Sequence, residues 1–156
     1  MSTDATGGFT FAYQENGAIG RGIWRRGYNP DGTEKYGWTL VSTGTRTNAS
    51  IAMAADGTHL ITWQQNSSGS DVFGRLYDSG GNALGEAFAV NQTSSNEQTQ
   101  ASAAFLDRQQ FVVTWHGEGV GDTAGVFVRQ FSQLPEAILL STDKDVDPSG
   151  IPELPA

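Results

Sequence analysis

The sequence predicts an all-β protein, and three observations carry that prediction. The chain repeats itself: residues 59–78 (HLITWQQNSSGSDVFGRLYD) read as two strands joined by a polar loop, and residues 9–29 (FTFAYQENGAIGRGIWRRGYN) and 111–132 (FVVTWHGEGVGDTAGVFVRQFS) read the same way. Apolar residues in these stretches recur at the period of two expected of strands, and no window sustains them at i, i+3, i+4 and i+7. Twenty glycines with 28 serines and threonines supply turn chemistry between short strands rather than helices.

The repeat has a defined register. Tyr13, Trp63 and Trp115 hold one equivalent position at spacings of 50 and 52 residues. Arg26, Arg75 and Arg129 hold another, each two residues before an aromatic, Tyr28, Tyr77 and Phe131. Trp38, Phe88 and Ile138 form a third set, spaced 50 and 50 residues apart. Four strands per unit, a to d, account for these positions.

Taken in order, residues 1–8 read as a flexible lead. Phe9, Phe11 and Tyr13 alternate with Thr10, Ala12 and Gln14 as strand b of the first unit, which has no strand a. Residues 23–28 form strand c. The turn at residues 29–32 follows, where Pro30 fixes φ and Gly32 accepts a positive one. Residues 38–42 form strand d. In the second unit, residues 50–54 (SIAMA) make a strand a of small side chains, and Asp56-Gly57 turns the chain into residues 59–64. Residues 71–77 and 86–91 complete that unit. The third unit returns in the same order at residues 101–106, 111–116, 124–131 and about 134–141. The expectation is eleven short antiparallel strands in three units, about 9–42, 48–91 and 100–141, followed by an acidic, Pro-containing tail or linker at 142–156.

A self-similar period near 50 residues with four strands per unit is the pattern of β-propeller blades or a related solenoid. One four-stranded unit cannot bury both faces alone, so neighbours must supply cover. Leu60 on one face of its strand, with Ile61 and Trp63 on the other, fits such two-sided burial. Rings usually need four to eight blades, so three units imply either a ring completed by oligomerisation or a β-sandwich-like stack of the same sheets.

Bulk properties bound the function. The net charge of −8, with only nine Lys and Arg, argues against nucleic acid and anionic membranes as partners. With no cysteine, thiolate metal sites, thiol nucleophiles and disulfides are excluded. No run of about 18 apolar residues predicts membrane insertion. The opening MSTDATGGFT has no signal-peptide pattern and reads as the lead of an excerpt.

The segments FVVTW and HLITW, with VFGRLYDSGGNALGEAFAVN, resemble the tandem repeats of very large secreted bacterial proteins, which often also carry cadherin-like or hemolysin-type calcium-binding segments. The similarity covers residues 9 to about 141. It implies an extracellular or cell-surface bacterial setting. No Gly-Gly-x-Gly-x-Asp nonapeptide is present, so calcium-roll binding does not follow from it.

No catalytic motif stands out. Neither a Gly-x-Ser-x-Gly elbow nor a phosphate-cradling Gly-Lys-Ser loop occurs, and the two histidines, His59 and His116, lack the close partner a zinc site uses. Tyr13, Trp63 and Trp115 alternate in register with core residues and are expected to pack. The repeated arginines are expected to lay their stems on rings and pair their heads with a carboxylate. The b–c loops leave the same edge of each unit and mix amides, carboxylates and glycines, which suits hydroxyl-rich ligands. Glu15, Asn16, Gln65, Asn66, Asp71, His116, Glu118 and Asp122 are the candidate ligand-binding residues. Asp143, Asp145 and Asp147 alternate as the start of a calcium loop does, although Pro148 stands where an EF-hand needs Gly. The expectation is a non-enzymatic adhesion module that binds carbohydrate or another cell-surface ligand weakly and multivalently, with no cofactor. A structural or oligomerising repeat, assembling with itself, is the alternative.

Overall fold

The computed structural model describes residues 1–17, 20–66, 69–94, 96–119, 122–134 and 137–138. Every described element is a strand. The first sheet contains β1 (Ser2–Thr3), β2 (Phe9–Glu15), β3 (Gly22–Tyr28) and β4 (Glu34–Thr43). The second contains β5 (Arg46–Met53), β6 (His59–Asn66), β7 (Ser70–Tyr77) and β8 (Phe88–Ala89). The third contains β9 (Thr99–Phe105), β10 (Gln110–Gly119), β11 (Asp122–Leu134) and β12 (Ala137–Ile138). Each sheet is antiparallel, runs in chain order, and is open at both edges.

All eleven expected strands are present, and Ser2–Thr3 adds a twelfth. The first unit therefore has its strand a, which pairs Ser2 with Thr10 and Thr3 with Phe9. Two of the eight residues expected to be a flexible lead, Ser2 and Thr3, belong to the sheet. Asp4 secures the turn behind β1 by accepting from the backbone N–H groups of Thr6 and Gly8, both at 2.9 Å. Strand d of the second unit is shorter than the expected 86–91. The ladder ends at Ala89 because the Asn91 side chain takes over, its Oδ1 accepting from the Val72 N–H at 2.7 Å.

The b–c hairpins keep one register. Gln14 faces Ile23, Gln64 faces Val72 and His116 faces Val126. Tyr13 faces Trp24, Trp63 faces Phe73 and Trp115 faces Phe127. Strand a carries a matching irregularity in two units, where Asn48 (φ 52°) and Gln100 (φ 54°) enter the left-handed region beside breaks in pairing. Asn48 is held there by donating to Gln64 Oε1 at 2.6 Å.

The sheets pack in succession, first on second and second on third, with β5 touching β1, β2 and β3 on one side and β9 on the other. Between the first two lie Ile23 and Val41 from the first sheet and Ile61, Trp63 and Tyr77 from the second. Between the second and third lie Leu60, Val72, Leu76 and Val90 from the second sheet. Against them pack Phe111, Val113, Trp115, Phe127 and Phe131 from the third. At both junctions aliphatic side chains of the earlier sheet cover aromatic ones of the later sheet, joined by Tyr36 and Arg25 at the first junction and by Phe88 at the second.

Candidate functional site

Most of the polar groups of the b–c loops are bonded to neighbouring protein groups, some within the hairpin and some outside it. Glu15 accepts from the Gly17 N–H at 2.7 Å, and Asn16 Oδ1 accepts from Gln14 at 3.1 Å. Gln65 pairs with Asp71 across the hairpin. Asn66 Oδ1 accepts from the Ser70 hydroxyl at 3.1 Å, and Asp71 accepts from Asn91 Nδ2 at 2.7 Å. Glu118 accepts from Asn96, and Asp122 from the Ala124 N–H at 2.9 Å. His116 is exposed on β10. No group of three or more metal-ligating side chains occurs among the described residues, and Asp143, Asp145 and Asp147 lie outside them.

A different surface draws aromatic residues together. On the outer face of the first sheet, β2 presents Phe9, Phe11 and Tyr13, β3 presents Trp24, Arg26 and Tyr28, and β4 presents Trp38 and Leu40. Cross-strand partners share a face, which places Phe9 beside Tyr28, Phe11 beside Arg26, and Trp24 beside Tyr13 and Leu40. The rings interlock: Phe9 stacks on Tyr28 at 5.1 Å, and Trp38 sets its edge against Phe11 at 5.8 Å and Tyr13 at 5.3 Å. Arg26 lies over both Tyr28 (5.1 Å) and Trp38 (4.9 Å), while its head pairs with Glu34. Trp24 donates its indole N–H to the Gly20 carbonyl at 3.0 Å. The array is thus fixed in place before anything binds it.

This face stays open where its counterparts are covered. Trp63 and Trp115 are 1% and 3% exposed beneath the preceding sheet, whereas Trp38 is 47% and Leu40 42% exposed. Tyr13, equivalent to those two tryptophans, is only half-buried. The expected packing of the repeated aromatics therefore holds in the second and third units. In the first unit it leaves a surface.

At the opposite end, the third sheet has an open face of another kind. Ile23 and Val72 are 0% exposed at the two internal junctions, and Val126, in the same register position, is 51% exposed. Val112, Thr114 and Val128 flank it, all half-buried.

Two features of this arrangement escape the sequence pattern. The spacing of 50 residues equates Trp38 with Phe88, but the two point to opposite sides. Phe88, opposite Gly74, packs on Phe111 and Phe131 of the third sheet, while Trp38 joins the outer aromatic array. Register breaks between β3 and β4 account for this, because a slip of one residue turns a side chain to the other face. The second feature is Arg25, neighbour of the repeated Arg26 and buried at the first junction. Its guanidinium sits between the rings of Tyr36 (4.6 Å) and Tyr77 (4.0 Å) and donates to the Gly81 carbonyl. Its Nη1 lies 3.1 Å from His59 Nε2. Arginine only donates, so His59 Nε2 accepts, and Nδ1 carries the proton toward the Gly57 carbonyl at 3.0 Å. Burial, which strips water from the imidazolium, is the main cause that holds the His59 pKa down to about 4. This cluster joins two sheets, with Arg25, His59 and Tyr77 buried and Tyr36 half-buried at its margin.

The repeated arginines behave largely as expected. Arg75 lies over Tyr77 and reaches Glu86 at 4.0 Å. Arg129 lies over Phe131 and donates to the Val90 carbonyl of the preceding sheet at 2.8 Å.

No protein-family model matches the chain, and no curated protein or solved structure is detectably similar to it.

Proposed function

We propose that the protein is a non-enzymatic, propeller-like repeat module of a secreted or cell-surface bacterial protein, and that it works by assembling with itself through the aromatic face of its first sheet. One observation carries this reading: side chains whose equivalents are buried at two internal junctions are left half-open on the first sheet, already ordered by ring contacts and the Arg26–Glu34 pair. Large rigid aromatics beside an arginine are the composition of interface anchors, and such rings lose little conformational entropy when covered. Solution mass tests the reading. Wild-type protein should run above the 16.6 kDa of one chain, and Trp38→Asp should return it to that mass without loss of folded structure. An assembly indifferent to Trp38→Asp, or a wild type that stays at 16.6 kDa at every concentration, would sink the reading.

Weak carbohydrate binding through the b–c loops is a second reading. It is favoured by the common hairpin register, which sends Glu15, Gln65 and Asn66, and Glu118 and Asp122 to the same end of their sheets. A glycan would have to replace the bonds that Glu15, Asn66, Glu118 and Asp122 already make to neighbouring groups. A glycan array answers this: hits abolished by Asn66→Ala and Asp71→Ala support the loops, and a blank array rejects them.

A further inference from the structure

We infer that the surface which covers the aromatic face is the open face of the third sheet of a second copy of this chain, docked head to tail. The inference rests on the self-assembly reading above and names the surface that meets the aromatic array. Both internal junctions are built the same way. At the first, Ile23 and Val41 cover Trp63 and Tyr77; at the second, Leu60 and Val72 cover Trp115 and Phe127. The molecule then ends with one unmatched half of each kind. The aromatic half is the outer face of the first sheet, and the aliphatic half is the outer face of the third, where Val112, Val126 and Val128 stand among Thr114, His116 and Gln130. Val126 occupies the register position of Ile23 and Val72, and Val112 that of Leu60. A third junction built from these two halves would repeat a packing that the chain already uses twice.

An aromatic-to-aromatic pairing of two first sheets would break this pattern. It would also leave Val126 and its neighbours exposed. A head-to-tail contact uses both open faces and either closes into a ring or grows into a filament. Three sheets from each of two copies make six, within the four to eight units that closed propellers use. Fully buried aromatic rings remove roughly 150–250 Å² each, so covering the array removes on the order of several hundred Å² per copy, the scale of a specific interface. We therefore assign the assembled form as a closed pair.

The test separates the two halves of the contact. Trp38→Asp damages only the aromatic face, and Val126→Asp only the aliphatic one. Both positions are about half exposed in the single chain, so circular dichroism should show each variant folded. Light scattering should give a wild-type species of about twice 16.6 kDa that grows no further, and each variant alone at 16.6 kDa. An equimolar mixture should recover a two-chain species, because the first sheet of the Val126→Asp chain and the third sheet of the Trp38→Asp chain are both unaltered. If Trp38→Asp dissociates the assembly and Val126→Asp does not, the head-to-tail inference is overturned and self-assembly through the aromatic face stands. If neither variant changes the mass, or if wild type is a single chain throughout, both are overturned. Growth of wild type beyond two copies, with both variants blocking it, would overturn the closed pair by showing an open filament.

Discussion

The second sheet and the first share one strand order and one hairpin register, yet they present opposite surfaces. In β6 the first six residues, His59 to Gln64, are all buried, whichever way they point. In β2 burial is incomplete, and the large rings Phe9, Phe11 and Tyr13 stand on the less covered side. The difference lies in neighbours. The second sheet has one on each face, so β6 is buried on both of its sides; the first has one neighbour, so its outer rings pack only on each other. Burial in a repeat is therefore a property of a unit's place in the stack as much as of its sequence.

The strongest way to break this comparison is to truncate an equivalent aromatic in each sheet. Trp63→Ala removes a ring buried between two sheets and should cost about 3–5 kcal/mol, the range for large-to-small changes in a packed core. Tyr13→Ala, at the same repeat position on the open face, should cost well under half of that when measured by urea unfolding of dilute single chains. Equal losses would mean that the first sheet's outer face is covered even in the monomer.

The junction between the two sheets can be probed by acid. His59 would ordinarily titrate near 6.5, and its burial against Tyr36 and Tyr77, helped by the adjacent Arg25 charge, holds it to about 4. Asp78 opposes this shift and Lys35 adds weakly to it. As pH falls through 6.5 the unfolded chain takes up this proton while the folded chain does not. Stability is therefore greatest above about 6.5 and falls between 6.5 and 4, by about 3 kcal/mol in all. Below 4 both states are protonated and this contribution stops changing. Urea midpoints for wild type and His59→Phe at pH 7, 5 and 4 measure it. The variant should lose the part of the acid slope that lies in this window, and an unchanged slope would mean that His59 is open to water in solution.

Much of this architecture is legible in the residues. The period, the b and c strands and the two-sided burial of β6 follow from Leu60 alternating with Ile61 and Trp63 and from the recurring Arg-x-aromatic positions. What escapes has physical reasons. Ser2–Thr3 is too short to show alternation, and it is a strand only because β2 offers it an edge. The side taken by Trp38 depends on bulges between β3 and β4, which residue spacing does not record. The buried Arg25 corresponds to Gly74 and Val128 in the other units, so no repeat position announces it. Its cage of Tyr36, His59 and Tyr77 forms only when two sheets meet. The open aromatic face is also invisible in one dimension, since alternation shows which residues share a side and not whether another sheet lies against it.

The smallest expected effect sharpens the comparison most, because it uses one register position in two settings. Val72→Thr places a hydroxyl at a site with 0% exposure between the second and third sheets, and should cost about 1–3 kcal/mol for a buried polar group gaining no partner. Val126→Thr makes the same chemical change where half the side chain meets solvent, and in dilute single chains should shift stability by no more than about 0.5 kcal/mol. Chemical denaturation of both variants at low concentration measures the contrast. Repeating it at concentrations where two copies associate adds a second reading: the Val126→Thr penalty should then rise toward that of Val72→Thr, because the docked first sheet would bury the hydroxyl. A Val126→Thr effect that is negligible at every concentration would show that the third sheet's outer face stays in water and that the aromatic face is covered by something else.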